Sequence, residues 1–104
     1  MSDVMRSLER DIMDGCETAK RELGYNPTRF LQMVQQYGVY QSIKKLIAKR
    51  EPSEGYTRLL LEKRTELSIE FHVVKYAELF DEDELQYCRG LLETNNIGDS
   101  KEFI

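Results

Sequence analysis

Tryptophan is absent from this chain of 104 residues, histidine occurs once, cysteine and proline twice each, and glycine six times. So few turn formers argue against a many-turned β-sandwich. One histidine and two cysteines make a poor zinc set, which takes four such ligands, or three and a water. No apolar run approaches the ~18 residues of a membrane span. The opening Met1-Ser2-Asp3-Val4-Met5-Arg6 places charges where a secretion signal needs an apolar stretch. We therefore expect a cytoplasmic protein with free thiols and no membrane attachment. There is no phosphate-cradling glycine loop, and the acidic run 81–84 lacks the ligand spacing and glycine of a calcium loop.

What is present is the composition of a folded helical domain: 40% hydrophobic, 33% charged, net charge −4. A chain of this size supports one core and no more. Charge is distributed unevenly, with net −1 over residues 1–40, +3 over 41–75 and −6 over 76–104. The acidic total disfavours nonspecific binding to nucleic acid, while the basic middle third leaves local phosphate contact open.

Apolar spacing predicts the elements. Val4, Met5, Leu8, Ile12, Met13, Cys16, Ala19 and Leu23 form one helical stripe over residues 2–23, with Gly24 as its stop. Asn26-Pro27 reads as the cap and first position of a second helix, with Phe30, Leu31, Met33, Val34 and Tyr37 inward and Gly38 closing it. A third helix over residues 40–49 turns Ile43, Leu46 and Ile47 inward. After the break at residues 51–55, Ser53 is placed to cap a short helix carrying Tyr56, Leu59, Leu60 and Leu61.

Residues 67–75 alternate as a strand would, yet no second alternating run exists to pair with them. A helix capped by Ser68, with Ile69, His72, Val73, Tyr76 and Ala77 inward, is the better reading. Asp81-Glu82-Asp83-Glu84 is a capping box opening a last helix with Leu85, Cys88, Leu91 and Leu92 inward. The prediction is an all-α, compact single domain of five or six short helices over residues 1–93, followed by a flexible tail at 94–104.

The catalytic inventory is thin. His72 lies between Phe71 and Val73, and Cys16 and Cys88 occupy stripe positions; all three read as interior residues. No enzyme activity, cofactor or metal is expected. Recognition remains. Arg29 stands on the first turn of a helix, where a cation opposes the dipole. It therefore calls for a dedicated acceptor, either an internal carboxylate such as Glu70 or Glu62 or an external anion. We expect a structural ion pair between Arg29 and Glu70. Lys44, Lys45, Lys49, Arg50, Lys63 and Arg64 would form a basic patch if the third and fourth helices fold together.

Four blocks occur in order: Gly24-Tyr25-Asn26-Pro27-Thr28-Arg29-Phe30, Gly55-Tyr56-Thr57-Arg58-Leu59, Leu67-Ser68-Ile69-Glu70 and Leu79-Phe80-Asp81-Glu82-Asp83-Glu84-Leu85. This resembles a widespread, uncharacterised bacterial helical module, often appended to nuclease-like or mobile-element proteins. The chain departs from that pattern at Gly38-Val39, where a glycine pair is usual. The resemblance implies a helical fold and a setting in nucleic-acid processing or defence, without a reaction. Together these readings predict a non-enzymatic module that docks a protein partner through Tyr25, Arg29 and the Lys45/Lys49 stripe. Direct nucleic-acid binding through Lys44, Lys45, Lys49, Lys63 and Arg64 is the first alternative. A small acidic phage-type inhibitor using the acidic C-terminal third is the second. Partner identity and oligomeric state stay open.

Overall fold

Helix periodicity is carried through almost the whole chain. The computed structural model describes residues 3–101, with the side chains of residues 54 and 94–101 left aside. Among the described residues there are six α-helices and no strand: α1 (Asp3–Leu23), α2 (Thr28–Tyr37), α3 (Val39–Ala48), α4 (Glu54–Leu61), α5 (Ile69–Lys75) and α6 (Glu82–Lys101). Two single 3₁₀ turns, Thr65–Leu67 and Ala77–Leu79, flank α5. No described helix is long and apolar enough to cross a membrane. The all-α expectation holds, and residues 69–75 are helical.

The core forms where the apolar stripes meet. Leu8 and Ile12 of α1, Phe30 of α2, Ile43 and Ile47 of α3, Val73 of α5, and Leu85 and Cys88 of α6 make one buried cluster. Tyr56 and Leu59 of α4 are buried too, outside that cluster. Leu61, the last residue of α4, is 77% exposed.

Two predicted caps form as drawn. Ser68 Oγ accepts the Phe71 amide at 3.1 Å and starts α5. Asp81 and Glu84 cap reciprocally: Glu84 N donates to Asp81 Oδ1 at 2.9 Å, and Asp81 N donates to Glu84 Oε1 at 3.0 Å. Two others differ. No side chain caps α2; its preceding residue is Pro27, and the Asn26 carbonyl accepts the Thr28 amide at 2.7 Å. Ser53 precedes α4, but its hydroxyl bonds elsewhere. Gly38 bridges α2 and α3 at φ 86°, a region glycine enters without cost. Residues 94–101, read from sequence as the start of a tail, continue α6 as helix; residues 102–104 lie outside the described residues.

Candidate functional site

Residues 51–53, α1 and α2 together line a pocket of about 280 Å³. Its floor is α1, through Ile12, Cys16 and Ala19. Phe30 and Met33 of α2 and Leu46 of α3 add apolar wall, and Leu67 and Ile69 close the far side. Tyr25, Arg29 and Lys49, three residues selected from sequence, all line it, and Glu51 is the acidic residue among its walls. Arg29, Lys49 and Glu51 are exposed.

Tyr25 stands against Gly55. A Cβ built on that glycine would meet the Tyr25 ring and hydroxyl at 3.0 Å. The Arg58 guanidinium carbon lies 5.9 Å from the same ring centroid. Its Nη2 donates to the Leu23 carbonyl at 2.6 Å, satisfying an orphan acceptor at the end of α1. Arg58 was not singled out from sequence; its place in the Gly55-Tyr56-Thr57-Arg58 block was the available sign.

The expected Arg29–Glu70 ion pair does not form. Glu70, 2% exposed, bonds Ser53 instead: Oε2 accepts the Ser53 amide at 2.7 Å and Oε1 accepts the Ser53 hydroxyl at 3.0 Å. Burial pushes the Glu70 carboxyl above the usual carboxylate range, and these hydrogen bonds only partly oppose that. A backbone amide and a hydroxyl took the carboxylate because the turn delivers both to one point, whereas Arg29 lies on the pocket wall.

The six expected basic-patch residues are employed differently. Lys44 faces α6, pairing with Glu84 at 2.8 Å and lying 5.6 Å from the Tyr40 ring centroid. Hydrogen bonding to Glu84 holds the Lys44 ammonium above its ordinary range. Arg64, in the turn after α4, reaches Glu22 of α1 at 2.8 Å and also pairs with Glu66 at 2.7 Å. Lys45 lies 4.5 Å over the Tyr37 ring. Lys63 is exposed in a left-handed turn (φ 60°) that ends α4. Arg50 likewise turns back at φ 54°, its Nη1 donating to the Ile47 carbonyl at 2.9 Å. Lys49 lines the pocket.

The groups with chemical potential are inward. His72 is buried and its Nδ1 lies 2.7 Å from the Ser68 carbonyl, which can only accept, so Nδ1 carries hydrogen. Burial lowers its pKa, leaving a neutral ring at neutral pH. Burial likewise raises the Cys16 thiol to about 11 and the Cys88 thiol to about 12, far from a thiolate nucleophile. A separate polar cluster joins α1 to α5, where Asp11 accepts from Lys75 at 3.0 Å and from the Tyr76 hydroxyl. No group of three or more His, Cys, Asp or Glu among the described residues is placed to hold a metal.

Compared with protein-family models, with curated proteins and with solved structures, the chain matches none.

Proposed function

We propose that this chain is a non-enzymatic interaction module that docks a protein partner at the mouth of the pocket between α1, α2 and the turn at residues 51–53. The observation that carries this reading is the convergence of Tyr25, Arg29 and Lys49 on one cavity with an apolar floor. Partner anchors sit in such clefts, where apolar burial supplies affinity and a few polar groups fix orientation. The setting suggested by the sequence resemblance, a bacterial nucleic-acid-processing or defence assembly, belongs to the same proposal.

Direct nucleic-acid binding has less to support it. Two of the five proposed phosphate contacts, Lys44 and Arg64, already face carboxylates. Recruiting them for phosphate would leave Glu84, a buried side chain, without its cation.

A photo-crosslinking residue placed at Lys49, with one at Gln86, exposed on α6, as control, tests the reading in cells. We expect a discrete protein adduct from position 49 and none from position 86. A nuclease-sensitive adduct at position 49, or no adduct, overturns it.

A further inference from the structure

Among the described residues, the Tyr87 hydroxyl is the buried side-chain polar atom that has no hydrogen-bond partner. Such a group is costly, and a second arrangement that satisfies it accounts for its place. Tyr87 belongs to α6 and packs against the core. Burial, and after it the charge of Glu70, holds its phenol above the ordinary range. The orphan hydroxyl therefore shares a buried region with the Glu70 carboxylate, whose two oxygens both hold Ser53. The Tyr87 ring also reaches the start of the turn, with the Arg50 guanidinium carbon 5.8 Å from its centroid. Arg50 enters that turn at φ 54°, a strained conformation for a residue with a side chain. A strained turn, one acceptor that holds it and a competing buried donor thus lie together.

We propose that Glu70 is a two-position latch, holding Ser53 with the turn closed in one position and accepting the Tyr87 hydroxyl with the turn lifted in the other. The carboxylate stays hydrogen-bonded in both. Lifting passes the Ser53 amide and hydroxyl to water, satisfies Tyr87 and relieves Arg50. Residues 51–53 line the pocket and Cys16 lies on its floor, so the lifted turn widens the way in. The latch regulates access to the docking site, and for that purpose it rests on the function proposed above.

Amide hydrogen exchange at Ser53, followed by NMR, reports lifting, and iodoacetamide alkylation of half-buried Cys16 reports the pocket, with buried Cys88 as internal control. Tyr87→Phe keeps the ring and deletes the competing donor. We expect it to slow both Ser53 exchange and Cys16 alkylation by about tenfold, while the buried Ile43 and Val73 amides and Cys88 change only as far as global stability in urea does. In a Glu70→Ala background, where the latch is gone, Tyr87→Phe should change neither. Unchanged Ser53 exchange in Tyr87→Phe overturns the latch, as does slowing no greater than that of the core amides. An effect that persists in Glu70→Ala overturns it too, since Tyr87 would then act on the turn without Glu70. These outcomes leave the docking function standing, whereas absence of a protein adduct at position 49 overturns that function and leaves the latch.

Discussion

Glu70, in the first turn of α5, holds Ser53, the residue before α4, by both carboxylate oxygens, at 2.7 Å from its amide and 3.0 Å from its hydroxyl. This bond spans 17 residues of sequence and fixes the turn that roofs the pocket. Glu70→Ala removes the acceptor and strands a Ser53 amide. We expect a loss of about 1–3 kcal/mol in urea denaturation, and a smaller one for Glu70→Gln, which keeps a carbonyl acceptor. Equal stability of Glu70→Ala and the parent chain would show that the turn is held by something else.

The same carboxyl sets a pH dependence. Its folded pKa is raised above 4.5, so the folded state takes up the proton first as pH falls, and Glu70 adds stability on the way down to 4.5. His72 acts oppositely. Its folded pKa lies below 6.5, so the unfolded state protonates first, and stability present above 6.5 is lost as pH falls through that window. Denaturation midpoints between pH 7 and 4.5 should therefore fall less steeply for His72→Gln than for the parent, and more steeply for Glu70→Gln. Unchanged slopes in both variants would contradict the assigned burial.

Gly55→Ala tests the wall that Tyr25 makes. Alanine in a helix is worth about 1 kcal/mol over glycine. Here its methyl would lie 3.0 Å from Tyr25 atoms, so the ring must move. We expect shifted Tyr25 ring resonances in NMR and no gain in melting temperature. A gain of the full propensity difference would place Tyr25 away from α4.

Glu84 joins a local device, the capping box of α6, to a long-range one, the ion pair with Lys44. Asp81→Ala should cost about 0.5–2 kcal/mol as a lost cap. Lys44→Ala leaves a buried carboxylate without its cation and should cost more than the ~1 kcal/mol of an exposed pair. Glu84 serves both, so the two substitutions are expected to be non-additive in a double-mutant cycle followed by chemical denaturation.

The helices themselves were legible because their causes are local. Apolar stripes repeat within a turn, and Ser68 with Phe71, or Asp81 with Glu84, are three residues apart, so these two caps need no partner from another element. Phe30 and Cys88 fall in the core for the same reason. The choice among competing acceptors and donors was not legible. Ser53 reads as a cap, but its hydroxyl went to Glu70, which packing brought from α5. Glu70 thereby became unavailable to Arg29, and Lys44, outward on its own helix, found Glu84 forty residues away. Sequence alone determined where most of the helices lie and core positions such as Leu8, Phe30, Ile43 and Cys88, since those follow from nearest neighbours along the chain, whereas Met13 and Tyr37, read as inward, are exposed, and residues 94–101, read as a tail, extend α6. Only the tertiary structure decided which polar groups meet and that Tyr25, Arg29 and Lys49 share one cavity, because hydrogen bonds and ion pairs require angstrom placement that loop geometry and helix packing supply together.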